Sequence, residues 1–129
     1  MGYASPLILF ALIVTASAIL VERPHCNEDV KDYSETCDDV VIKDGSWLNG
    51  NCIKKDKSTH GTDLDLNDLV QFAADHNLHR KEFGNFLGSC SGVTLEDKHI
   101  LVTQCGGDIK KIDLNEFIGN MDGTLTACL

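Results

Sequence analysis

Basic charge is scarce in this chain. Of its 129 residues, 11 are Lys or Arg against 20 Asp or Glu, a formal net charge of −9. A surface this acidic repels phosphate, and the short basic runs Lys54-Lys55 and Lys110-Lys111 are too small to reverse the field, so nucleic acid is excluded as a partner. Closely spaced cysteine pairs of the Cys-x-x-Cys kind are absent, which argues against a zinc site. Neither a Gly-x-Ser-x-Gly elbow nor a zinc-protease phrase occurs. Outside the first twenty or so residues no stretch sustains a long helical period with caps at both ends.

Residues 6–21 are almost wholly apolar and end in Ala16-Ser17-Ala18, small residues of the kind a signal peptidase accepts. We read residues 1–22 as a secretory signal, with a membrane anchor as the competing interpretation. All basic residues lie beyond Glu22, so cleavage leaves an acidic chain, residues 23–129, the size of one ordinary domain. The expected localisation is secreted, with no membrane association after signal removal.

Six cysteines in a secreted context point to disulfides. Cys37 and Cys52 enclose fourteen residues, and so do Cys90 and Cys105. Each pair is followed by a version of one phrase, Leu64-Asp65-Leu66-Asn67-Asp68-Leu69-Val70 and Ile112-Asp113-Leu114-Asn115-Glu116-Phe117-Ile118. Equal loops followed by matching phrases indicate a duplicated module, repeat one spanning about residues 33–80 and repeat two about 86–128. The repeat selects Cys37 with Cys52 and Cys90 with Cys105, leaving Cys26 for Cys128, a bond that would pin both termini together. In the chain-entropy model each short loop contributes about 3 kcal/mol and the long closure about 4 to 5 kcal/mol.

Residues 46–53 and 99–105 read as strands, and glycine and Asp/Asn turns separate such runs at short intervals. The Asp-Leu-Asn phrases read as brief helical turns entering a strand, with Asp65, Asn67, Asp113 and Asn115 as capping residues. Leu64, Leu66, Leu69, Ile112, Leu114 and Ile118 are core candidates, and Trp47 reads as a packed strand aromatic. One such module buries too little apolar surface to stand alone, so the two share a core. The fold class is therefore all-β, a single pseudo-symmetric domain.

Metal and enzyme readings fail on particular positions. Asp63-Leu64-Asp65-Leu66-Asn67 begins like an EF-hand loop, but its sixth position is Asp68 and its twelfth Ala74. His76 and His79 lack a third ligand at fixed spacing. The even cysteine count leaves no thiol for catalysis, and abundant carboxylates by themselves do not make a glycosidase. The reading is no enzyme, no cofactor and no metal.

The order Tyr33-Ser34-Glu35-Thr36-Cys37, Cys52, Leu64-Asp65-Leu66-Asn67, Asn85-Phe86-Leu87-Gly88-Ser89-Cys90, Cys105, Ile112-Asp113-Leu114-Asn115 and Asn120-Met121-Asp122-Gly123-Thr124-Leu125 resembles the cyanovirin-N homology (CVNH) family. The likeness covers nearly all of the chain after the signal. It implies a lectin for mannose-rich glycans, favouring terminal α-1,2-linked mannose, with two tandem repeats that exchange hairpins. High-mannose oligosaccharides or glycoproteins are then the partners. The alternative is a secreted protein-interaction module on the same fold.

Carried over residue by residue, the resemblance implies a first sugar pocket of Asp32, Glu35, Thr36, Ile53, Lys55, Asn120, Asp122 and Gly123, where Ile53 departs from the family's polar residue. A second pocket would use Gln71, Asp75, Asn85 and Ser89. There His76 replaces the turn glycine, and Gly106-Gly107-Asp108 replaces a longer polar loop, so this pocket is expected to be weak or absent. The segment 72–83 is expected to act as the hinge for hairpin exchange; its length and lack of proline point to a monomer, with a swapped dimer as the alternative.

Overall fold

The computed structural model describes residues 32–129. The expected signal segment and Cys26 lie outside the described residues. Among these described residues ten strands run in the order β1 (Cys37–Lys43), β2 (Trp47–Ile53), β3 (Thr59–Asp65), β4 (Val70–Phe72), β5 (Leu78–Arg80), β6 (Cys90–Glu96), β7 (Ile100–Cys105), β8 (Asp108–Asp113), β9 (Ile118–Met121) and β10 (Thr124–Ala127). Single 3₁₀ turns at Tyr33–Glu35, Leu66–Asp68, Phe86–Gly88 and Leu114–Glu116 separate the larger units. The strands form two antiparallel three-stranded sheets, β1-β2-β3 and β6-β7-β8, and two hairpins, β4-β5 and β9-β10. The all-β reading and the helical turns ahead of β4 and β9 match the sequence.

The duplication extends to irregularities. Register slips between Asp38 and Val41 in β1 and between Ser91 and Thr94 in β6. The bulge residue in each, Asp39 (φ 55°) or Gly92 (φ 69°), is left-handed, and such a bulge increases local twist. Cys37 is paired directly with Cys52, and Cys90 with Cys105, each pair disulfide-bonded as the repeat required. Cys128 is disulfide-bonded too; the expected partner Cys26 falls outside the described segment.

Each hairpin lies beside the sheet of the other repeat. Strand β10 runs next to β3, and the Leu125 amide donates to Thr62 Oγ1 at 3.2 Å; β5 runs next to β8. The hairpins are thus exchanged, and Tyr33, Leu48, Leu66, Val70, Phe86, Leu101, Leu114, Phe117 and Ile118 fill one continuous core. Complete burial of a large apolar side chain contributes about 1.5–3 kcal/mol, so these contacts dominate the fold's stability. Leu66, Leu69, Leu114 and Ile118 are buried as expected, while Leu64 and Ile112 are half-buried at the core's margin. Trp47 is not a packed core aromatic: it opens β2 on the outer face and is 39% exposed.

Two expectations need correction. Residues 72–83 are not one slack hinge, because Phe72 pairs with Leu78 and Val70 with Arg80, so residues 72–80 belong to hairpin β4-β5. The connection between halves is confined to the stretch after Arg80, held where the Lys81, Phe83 and Asn85 amides donate to the carbonyls of Leu69, Asp68 and Asn67. Nor do all four Asp-Leu-Asn residues cap. Asp65 and Asp113 do, each accepting from the amide two residues on at 3.0 Å. Asn67 and Asn115 reach instead to the opposite repeat, Asn115 to Ser34 Oγ (2.7 Å) and Asn67 to Asn85 Oδ1 (3.1 Å). An amide offers donor and acceptor together, so each can brace a neighbouring 3₁₀ turn, which a carboxylate could not do alone.

Candidate functional site

The first pocket gathers at the tip of hairpin β9-β10, where that hairpin meets the ends of β1 and β2. Met121 pairs with Thr124, leaving a two-residue turn of Asp122 (φ 49°) and Gly123 (φ 91°). Positive φ at both central residues is what a tight hairpin with native twist needs, and Asp-Gly supplies it. Gly123 is required twice over, because a Cβ there would sit 2.6 Å from Lys54 Cγ and 3.0 Å from His60 Cβ. The hairpin tip is thereby pressed onto the loop that follows β2.

Asn120 locks this meeting point. Its Nδ2 donates to Thr36 Oγ1 at 3.0 Å and to the Ile53 carbonyl at 2.9 Å, while its Oδ1 accepts from the Gly123 amide at 2.7 Å. The Thr36 carbonyl accepts from the Ile53 amide at 2.9 Å. Asp122 Oδ1 accepts from the Lys55 amide at 2.8 Å. Six expected residues, Thr36, Ile53, Lys55, Asn120, Asp122 and Gly123, are therefore one hydrogen-bonded unit drawn from both ends of the chain. Asp32 and Glu35 join it only through the 3₁₀ turn, where the Asp32 carbonyl accepts from the Glu35 amide at 3.0 Å.

The arrangement separates braces from exposed groups. The Asn120 amide gives both its hydrogens and one oxygen lone pair to the protein. The Thr36 hydroxyl accepts from Asn120 and keeps its own hydrogen to donate, and Asp122 keeps its second carboxylate oxygen, among the described residues. Glu35 and Lys55 are exposed, and Ile53 presents an aliphatic side chain, 45% exposed, at the rim. Behind the site the buried Tyr33 hydroxyl donates to the Lys98 carbonyl at 2.6 Å, tying the turn to the second sheet. Burial, and secondarily the negative charge of Asp113, push the Tyr33 phenol above its ordinary range, so it stays a neutral donor.

The second pocket's residues make no hydrogen bond to one another among the described residues. Gln71 is half-buried in β4 opposite His79. The Asp75 carboxylate takes His79 Nε2 at 2.7 Å and the Asn77 amide at 3.0 Å, and these hydrogen bonds, His79's first, hold its pKa below the usual value. Asn85 accepts from Asn67, and its side chain lies over Gly88: a Cβ at Gly88 would be 3.0 Å from Asn85 Nδ2. Ser89 caps its turn. Phe72 and His76 pack edge to face with centroids 6.0 Å apart, and His76 adopts a positive φ of 64°.

The loops complete the asymmetry. Five residues, 54–58, link β2 to β3 in the first half, whereas Gly106 and Gly107 alone link β7 to β8 in the second. Beside the first pocket lies an open depression of about 370 Å³ lined by Asn49, His60, Gly61, Thr62 and Asp63, which sequence reasoning did not find. Its only sequence signal is a glycine within a strand, which often marks close approach of a ligand or backbone. Among the described residues no group of three or more His, Cys, Asp or Glu side chains could hold a metal ion, and no helix is long and apolar enough to cross a membrane.

Solved structures share this architecture. A CVNH protein of Gibberella zeae is 27% identical over 76% of this chain and 98% of its own, with a TM-score of 0.63. The CVNH protein of T. borchii is 25% identical over 74% of this chain and 97% of its own, with a TM-score of 0.65. Microvirin, solved as a complex with mannobiose, is 26% identical over 75% and 98%, with a TM-score of 0.62. The family model of the CVNH domain matches residues 33–126, almost the whole of the described chain. With the paired cysteine loops, the exchanged hairpins and that match in hand, this chain belongs to the cyanovirin-N homology family.

Proposed function

We propose that this protein, a carbohydrate-binding lectin by family, is secreted, has no enzymatic activity, and takes terminal α-1,2-linked mannose of high-mannose glycans chiefly in the pocket formed by both chain ends. The observation that carries the reading is the Asn120 brace, which fixes Thr36, Ile53 and the Asp122 turn in one rigid rim. A hexose presents neighbouring hydroxyls that both donate and accept, so a fixed set of Thr, Asp, Glu and Lys groups can engage several at once with little ordering cost. Ile53 offers an aliphatic surface to a sugar's C–H face in place of a hydrogen bond. The mannobiose complex of microvirin supports mannose as the sugar to test first.

On this reading the second half contributes little: Asn85 covers Gly88, and Asp75 is engaged by His79. A monomer with one shallow site would bind a small sugar weakly and cross-link glycans poorly. The test is an amide-resolved NMR titration with α-1,2-linked dimannose. Shifts confined to Glu35, Thr36, Lys55 and residues 120–123 are expected; no shift at millimolar sugar overturns the mannose reading in favour of a protein-interaction module on the same fold.

A further inference from the structure

The outer face of sheet β1-β2-β3 carries a set of side chains that its duplicate lacks. Trp47, Asn49 and Asn51 share one face of β2 and pair with Asp65, Asp63 and Gly61 of β3. In the second sheet the matching pairs are Ile100 with Asp113, Val102 with Lys111 and Gln104 with Ile109. The same ladder therefore closes without an indole, an amide beside a carboxylate, or a glycine at these places. Nor does the backbone call for Gly61: its φ lies outside the left-handed region, and a Cβ there would meet only Asn51 Oδ1, at 3.4 Å. What these residues leave is an exposed Trp47 and the open depression of about 370 Å³ at position 61. Alternation along β3 turns the His60 and Thr62 side chains to the other face, so the side chains offered to the depression here are those of Asn49 and Asp63. Neither makes a side-chain hydrogen bond or ion pair among the described residues.

A flat apolar ring flanked by free hydrogen-bonding groups suits a pyranose, which has C–H faces and hydroxylated edges. Trp47 stands two residues, about 7 Å, from the Asn49–Asp63 pair on the same face. A sugar resting on the indole can thus set its edge hydroxyls, or those of the next ring, against an amide and a carboxylate. Sugars with every hydroxyl equatorial stack best, because an axial hydroxyl, such as the 2-hydroxyl of mannose, interrupts the C–H face. A protein partner fits less well: interface cores exclude charge, and here Lys43, Asp63 and Asp65 surround a single aromatic ring. The depression's volume falls among small-molecule sites, about 300–1,000 Å³. We infer that this face is a second carbohydrate site, taking β-linked, glucose-type oligosaccharides on Trp47, Asn49 and Asp63 over Gly61. Ile53, at the rim of the first pocket, is six residues along β2 from Trp47, about 20 Å. The inference does not depend on the mannose reading of that pocket, and it gives a monomer two sites of different specificity.

The duplicate supplies the variants. Trp47→Ile and Gly61→Ile install the residues that the second sheet carries at the matching places, and neither position belongs to the first pocket. The first removes the ring and the second fills the depression. NMR titration of the wild type with cellotriose, at millimolar sugar, should shift the Trp47 indole N–H and the amides of residues 49, 61 and 63. Each variant should weaken that binding about tenfold and leave the titration with α-1,2-linked dimannose unchanged. Binding of cellotriose that survives both substitutions overturns the site, as do shifts confined to Thr36 and residues 120–123. No response to cellotriose overturns it too and leaves the face to a protein partner. Cellotriose bound at Trp47 with dimannose unbound upholds this site and overturns the mannose reading.

Discussion

The side-chain amide of Asn120 donates to the hydroxyl of Thr36 at 3.0 Å, joining residues 84 positions apart in sequence. Asn120 thereby clamps hairpin β9-β10 to the end of β1. Asn120→Ala should destabilise the fold by about 1–3 kcal/mol, because it removes the partners of the Ile53 carbonyl and of the part-buried Gly123 amide. It should weaken mannose binding beyond that loss of stability. Thermal unfolding and the sugar titration, read side by side, separate the two effects.

Two glycines at the connection between halves should respond differently. A Cβ on Gly84 would lie 2.3 Å from the Val70 carbonyl oxygen and 2.4 Å from its carbon, backbone atoms within a paired strand. Gly84→Ala should therefore cost about 1–3 kcal/mol as β4 is forced away. At Gly88 the nearest atom belongs to the Asn85 side chain, which can turn aside. Gly88→Ala should cost under about 1 kcal/mol. Urea unfolding midpoints at constant m-value give the comparison.

The two short disulfides close loops of equal length, with a sequence separation of 15 in each. If they act by restricting the unfolded chain, removing either should cost nearly the same, about 3 kcal/mol. Double replacement of Cys37 and Cys52 by Ala, and separately of Cys90 and Cys105, should lower stability by amounts that agree within about 1 kcal/mol. Chemical denaturation of both variants checks this.

The tip of hairpin β4-β5 should be sensitive to acid. The His79 ring, and then the Asn77 amide, hold the Asp75 carboxyl below its ordinary value. A depressed carboxyl pKa stabilises the folded form above the unfolded value, about 3.9, and that contribution disappears as pH falls through the folded value. His79→Ala should move the Asp75 titration back toward the ordinary range. Carboxyl-resolved NMR titration would show it, and an unchanged midpoint would refute the role given to His79.

Much of this architecture was legible because duplication repeats a local pattern. Equal cysteine loops predicted two disulfides, and the matching Asp-Leu-Asn phrases predicted the turns at Leu66–Asp68 and Leu114–Glu116. The 72–83 hinge was misread because a short hairpin with polar positions on one face looks like a loop until its partner strand is known. Trp47 was misread for a related reason: alternation says that one face is buried but not which.

The sequence by itself determined the all-β class, the duplication, the disulfide pairing within each repeat and the family, since each depends on residue identity and spacing along the chain. Tertiary structure decided what the site residues do. Asn120 became a brace because hairpin exchange carries it to Thr36 and Ile53, and Asn67 and Asn115 became ties between repeats for the same reason. The depression beside Gly61 depends on the register that sets Asn49 opposite Asp63. Such contacts join distant parts of the chain, and no local pattern encodes the distance between them.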